Sequence, residues 1–197
     1  VERGVEDPMA PEFFTRLERL SFVIMLLGSE RDQRNRRFNK VMDAINNDRA
    51  LFAKNGPLAI DRSESKKVRE RMQGRFATFG QRRAMALRIN AALEGGVTIP
   101  PESDATVEHV LPRNIHEESH WLTVWPDPAK RREQCDTLGN FVLLTNKVNQ
   151  KADRLDYRAK KEVYFNGGGG ADFALTRDLM DQDAWTPEVV RKRTEGL

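Results

Sequence analysis

A single cysteine, Cys135, stands in the 197 residues, so the chain can build neither an internal disulfide nor a Cys-x-x-Cys zinc pair. One lone thiol fits a reducing cytosol. Histidine is almost as scarce: the chain has three, His109, His116 and His120. His116 and His120 are four apart and would share one face of a helix, but structural zinc takes four protein ligands and the others are missing, so zinc is not expected. No apolar run approaches the ~18 residues that a membrane span needs, and the stretch at residues 22–27 is far too short. No secretory leader is visible. No Gly-x-x-x-x-Gly-Lys loop is present either, so nucleotide hydrolysis is not expected of this chain. The first residues are Val1-Glu2-Arg3 rather than a methionine, from which we expect a piece of a longer polypeptide.

Charge is plentiful and unevenly placed. Residues 1–100 carry 19 Lys/Arg against 13 Asp/Glu, whereas the remainder carries 14 against 17. A basic half suits phosphate and an acidic half suits a cation. Arg31, Arg34, Arg36, Arg37 and Lys40 form one cluster, and Lys66, Lys67, Arg69, Arg71 and Arg75 another. Either could track a nucleic-acid backbone, although runs of this kind are most often solvated helix faces.

Hydrophobic periodicity predicts helices over residues 11–27, ended by Gly28, over 32–46, 63–76 and 82–93, with Gly56-Pro57 as a break. Residues 97–103, with Pro100-Pro101, read as a linker. The pattern then changes. Residues 106–111 read as a strand, 129–135 as a polar helical turn, 140–145 as a second strand and 146–161 as a helix. The glycines at 167–170 predict a flexible turn, and residues 172–180 and 187–192 closing helices, the last capped by Thr186 before Pro187. Trp121 and Trp125 fall in an irregular insert, where His116, His120 and Trp121 are expected near the surface or the nucleic acid.

Within this frame lie Glu108-His109-Val110-Leu111-Pro112, then Leu138-Gly139-Asn140-Phe141-Val142-Leu143-Leu144, then Asn149. Hydrolysis of a phosphodiester needs a base for water and a cation for the oxygens that gain charge. A histidine titrating near 6.5 suits the first task. Glu108 and Asn149 offer the hard oxygen donors that Mg2+ prefers, while it keeps water and phosphate in its other positions. Neighbours on a strand point to opposite faces, so a bend or bulge should re-aim Glu108 or His109 if both serve one site. Asn140, beside Gly139, could pin the histidine loop.

These blocks, with Lys160-Lys161-Glu162-Val163-Tyr164 downstream, resemble the His-Asn-His (HNH, ββα-metal) nucleases. More closely they resemble the C-terminal nuclease domain of GmrSD-type modification-dependent restriction enzymes and the SspE-like phosphorothioation-linked defence proteins. The resemblance covers residues 104–165. It implies His109 as general base, Asn140 as the middle Asn that orders the loop, and Asn149 at the third position, with Glu108 and Asn149 on a divalent metal. Mg2+ is the expected ion and Mn2+ the alternative. Where relatives repeat an Asn shortly after the third position, this chain has Arg154. Arg113, Lys151 and Lys160 are candidate contacts to DNA phosphates.

The expectation is therefore an α+β, mostly α-helical chain, with a helical basic part at 1–103 and an HNH-like ββα-metal unit with closing helices at 104–197. It would nick or cut double-stranded DNA, phage DNA by the resemblance, as the cytoplasmic effector of a bacterial antiphage protein whose missing N-terminal part senses modified DNA and hydrolyses nucleotide. A catalytically silent nucleic-acid-binding or regulatory module, or an RNase, is the alternative.

Overall fold

Pro11 sits in the first turn of helix α1 (Ala10–Leu26), where its missing N–H is not needed. In the computed structural model, which describes residues 8–47, 49–96, 104–166 and 172–197, the chain forms two compact units, Val1–Arg71 and Met72–Leu197. The expected linker at 97–103 and the glycine turn at 167–170 lie outside the described residues.

In the first unit α1 buries Leu20, Val23, Ile24 and Leu26. Gly28, at φ +66°, closes the helix, and the N–H of Ser29 reaches back to the Ile24 carbonyl at 3.2 Å. Helix α2 (Arg31–Asn46) lays Val41 and Ala44 on Leu20 and Ile24, and Leu51 and Leu58 complete this small core. Helix α3 (Arg62–Met72) begins with a reciprocal cap: Asp61 Oδ1 accepts the Glu64 N–H at 2.7 Å and Glu64 Oε2 accepts the Asp61 N–H at 3.0 Å. It buries none of its residues. It also stops four residues short of the expected end at 76, because Phe76 is drawn into the second unit's core and its N–H bonds the Asp136 carbonyl at 2.7 Å.

The second unit runs α4 (Phe79–Leu93), β1 (Ala105–His109), α5 (Trp121–Val124), α6 (Pro128–Gln134), a 3₁₀ turn at Leu138–Asn140, β2 (Phe141–Thr145), α7 (Asn146–Ala152), α8 (Tyr157–Asn166), α9 (Ala174–Arg177) and α10 (Pro187–Gly196). The described residues are thus mostly helical with one two-stranded antiparallel sheet, an α+β arrangement. The strands pair His109 with Phe141 and Glu108 with Val142 in unbroken register. Phe141 to Leu144 are all buried, as a continuous apolar run covered on both faces requires. Helix α4 packs on both strands and on α9.

Trp121, expected near the surface, is instead 2 % exposed, and its indole N–H bonds the Leu155 carbonyl at 3.0 Å. Trp125 and Trp185 join it, with Tyr157 and Tyr164, in the main core. The helix expected over 146–161 is broken: Asp153, at φ +29°, turns the chain between α7 and α8. That turn swings α8 so that it packs on α7 and carries Lys160 and Tyr164 into the interior.

Candidate functional site

Thr106, Val107, Glu108 and His109 follow one another along β1, and all four line the same cleft of about 740 Å³. Consecutive strand residues can share a cleft only when it runs along the strand's free edge. Its other wall is α7, with Asn149 and Asp153. The expected bend or bulge is therefore absent: the ladder stays regular through His109, and side chains reach the edge from both faces.

His109 turns to one face. Its ring meets Phe141 edge to face at 5.1 Å between centroids, and Nε2 lies 3.1 Å from Asp136 Oδ1. Asp136 is 7 % exposed and gathers further donors, Nε and Nη2 of Arg113 and Nη2 of Arg75 at 3.0 Å, with the Arg82 charge 4.0 Å away. Burial opposes its charge, but the hydrogen bonds from Arg113 and Arg75 outweigh it and hold the carboxyl below its usual range. Burial first, and then the Arg113 charge, push the His109 ring down to about 4 against the pull of Asp136. The ring is thus neutral near pH 7. An ionised carboxylate can only accept, so Nε2 carries the proton and donates to Asp136, which leaves Nδ1 as the basic nitrogen.

Glu108 turns to the other face. Its Oε1 accepts from Lys160 Nζ and, at 3.1 Å, from the Tyr164 hydroxyl. Lys160 Nζ also donates to the His109 carbonyl at 2.9 Å. Burial pushes Glu108 up and Lys160 down from their usual values, and the attraction within the pair opposes both shifts. Lys160 is 0 % exposed. An ammonium so enclosed does not reach a phosphate, so the expected DNA contact at Lys160 gives way to an interior ion pair that fastens α8 to β1.

Asn140 lies in the interior as well. Its Nδ2 donates to the carbonyls of Leu111 at 3.0 Å and Cys135 at 2.8 Å, and its Oδ1 accepts from the Leu111 N–H at 2.7 Å and the Trp185 indole at 2.9 Å. Two of the four bonds hold Leu111, in the segment that follows His109, and the other two tie the amide to Cys135 and Trp185. The turn before it needs Gly139, where a Cβ would come within 2.0 Å of the Val190 carbonyl on α10. Arg193, from the same helix, donates to the carbonyls of Gly139 and Phe141, both at 2.8 Å.

Asn149 stands on α7 with Nδ2 on Thr106 Oγ1 at 2.8 Å and on the Val107 carbonyl at 3.3 Å. Its Oδ1 accepts nothing from the described residues. Arg113 lines the cleft mouth and is half-exposed. Lys151 is exposed on α7, outside the cleft lining. Among the described residues no group of three or more His, Cys, Asp and Glu is placed to hold an ion. Sequence reasoning missed Asp136. Its one signal was an acid four residues ahead of Asn140, and nothing local tells that it meets a histidine 27 positions away.

Residues 60–197 match the family of GmrSD restriction endonucleases, C-terminal domain. The chain belongs to this family. No curated protein and no solved structure matches it. The GmrSD match takes in helix α4 and both strands, so every residue of the cleft lies inside it. Membership carries a nuclease activity of the restriction-endonuclease kind, with DNA as the substrate. No helix among the described residues is long and apolar enough to cross a membrane.

Proposed function

We propose that this GmrSD C-terminal domain is an HNH-type, metal-dependent DNA endonuclease, which nicks or cuts double-stranded DNA. The observation that carries the reading is the His109–Asp136 pair, a neutral imidazole with one nitrogen fixed by an ionised carboxylate, whose ring lines the same cleft as Asn149. The order β1, connection, β2, α7 suits a ββα-metal unit.

The cleft donors fit a hard divalent ion. They are oxygens: the Asn149 Oδ1, turned away from the amide's own bonds to β1, and the Glu108 carboxylate, of which Oε1 is already held by Lys160 and Tyr164. Mg2+, or Mn2+ in its place, takes few protein ligands and would be held by Glu108 and Asn149. Such an ion supplies charge that stabilises the non-bridging and leaving oxygens of the phosphate.

The protein's own part is a proton transfer and its geometry. His109 Nδ1 takes a proton as the water oxygen bonds to phosphorus. The bond from phosphorus to the leaving sugar oxygen breaks, and that oxygen is protonated from solvent. Asp136 keeps the ring in the required tautomer and stabilises the imidazolium that forms. Arg113 spends Nε and Nη2 on Asp136 and keeps Nη1 for a phosphate oxygen. Asn140 is a positioning residue: it touches only the loop and the core. The larger setting follows from the family resemblance: a bacterial, cytoplasmic, antiphage effector whose sensor and NTPase parts lie elsewhere in the polypeptide.

Conversion of supercoiled plasmid to open-circular or linear form, with Mg2+ or Mn2+ and beside EDTA, tests the reading. Cutting that needs the metal and is lost in His109→Ala is the expected result. DNA binding that is insensitive to both metal and His109→Ala, with no cutting, would establish a silent binding module. Preferential cutting of a matched RNA would establish an RNase.

A further inference from the structure

A second groove of about 770 Å³ adjoins the catalytic cleft, and the two share Pro112, Arg113 and Asn114 as a common ridge. Their charge differs. In the catalytic cleft Arg113 and Arg154 face Glu108 and Asp153, one charge against another. In the second groove Arg75, Arg113, Arg131 and Arg132 face only Glu117 and Asp136, with the exposed His116 beside them. The arginines come from three separate segments: the stretch before α4, the loop after β1, and α6. A solvated face of one helix would not gather them so.

Two of them are already aligned. Asp136 holds Arg75 through Oδ2 and Arg113 through Oδ1, yet 56 % of the Arg75 side chain and 45 % of that of Arg113 remain exposed to the groove and its surroundings. A guanidinium has five N–H donors, and Arg113 gives Asp136 only those of Nε and Nη2. Fixing it in advance lowers the ordering cost when a second anion arrives. Arg131 is anchored as well, by Nη1 on the Trp125 carbonyl. The groove is therefore a preformed positive trough, and it opens on the same Asp136 that orients His109.

We propose that this groove is a phosphate-backbone subsite: it holds the DNA strand to one side of the bond attacked at His109, with Arg75, Arg113 and Arg132 on successive phosphates. The inference rests on the nuclease reading for the position of the scissile bond, and adds where the flanking strand runs. Phosphate contacts of this kind fix register without reading sequence.

The test is DNA binding by the full chain, followed by anisotropy of a short labelled duplex in EDTA across a salt series, with plasmid cutting in Mg2+ measured on the same proteins. Arg132→Gln alters an exposed side chain on α6, and Arg75→Gln/Arg132→Gln removes two contacts. The double variant should raise Kd about tenfold near 0.1 M salt and lower the slope of log Kd against log salt by about 2; the single variant should lower it by about 1. Arg158→Gln, on a 97 % exposed side chain of α8, should change neither. Unchanged Kd and slope in both groove variants, beside an unsubstituted chain that binds, would overturn the subsite, and normal cutting in those variants would leave the nuclease standing. Reduced slopes with no cutting by any protein would support the subsite and sink the nuclease. No binding by the unsubstituted chain would overturn the subsite.

Discussion

Glu108 and His109 are chain neighbours on one strand, yet their surroundings differ in kind. Glu108 faces Lys160 and Tyr164 in an enclosed network with an ammonium that is 0 % exposed. His109 faces Asp136, which also meets the buried Arg82 and two cations, Arg75 and Arg113, that are half open to solvent. Both networks contain a carboxylate and cations. The enclosed one keeps its ammonium in the interior, where it fastens α8 to β1. The open one holds its cations at the rim of two grooves, where a phosphate can join them. Exposure rather than charge count separates the cation that fastens the fold from the cations that solvent, and a phosphate, can reach.

The sharpest way to break this contrast is Lys160→Met. It leaves Glu108 buried without its ion partner, and urea unfolding should show a loss of about 3–5 kcal/mol. Adding Glu108→Gln to it should recover much of that loss, because the stranded charge is gone. Little change in either protein would mean that the Glu108 side is as open as the His109 side.

The open network should behave in the opposite way. His109→Ala should lower the cutting rate by ~10²–10⁴-fold, the scale of a lost general base, and Asp136→Asn by about 10–100-fold, the scale of a lost orienting partner. Thermal melting of His109→Ala should stay within a few degrees of the parent. A His109→Ala protein that melts as far below the parent as Lys160→Met would put both networks in the same structural class.

The smallest expected effect is at Cys135, a buried residue beside Asp136 with its thiol on the Leu111 carbonyl at 3.4 Å. Burial pushes this thiol up to about 12. A thiol so placed stays protonated at pH 8, so labelling by a thiol reagent should be slow in the folded protein and fast in denaturant. The sign for stability follows: the folded state keeps the proton and the unfolded state loses it near 9, so this group's contribution falls as pH rises from 9 towards 12. Rapid labelling of the native protein would show that the floor of the second groove opens around Cys135.

Much of this was legible from residue order. The steps of Leu20, Ile24 and Leu27 gave α1, the apolar run after Asn140 gave β2, and the spacing of His109, Asn140 and Asn149 led to the family that the match over residues 60–197 shows. What was illegible depends on tertiary placement. Arg158, Lys161 and Glu162 surround Lys160 in sequence and make it read as one more solvated cation. Only the turn at Asp153, with a positive φ that asparagine or glycine more often adopts, carries that helix face inward. Asp136 reads as the tail of a polar helical turn until Phe76, Arg75 and Arg113 converge on it from distant segments.

Helix α10 gives the architecture an order in time. The turn that presents Asn140 is held by Trp185, Arg193 and Thr194, the last accepting the Gly139 N–H at 3.0 Å. A chain still being synthesised that has released His109, Asn140 and Asn149 from the ribosome, but not residues 185–194, has every residue of the cleft and no means to set the turn. The turn that orders the loop after His109 is therefore set only once residues 185–194 have emerged and folded back onto it.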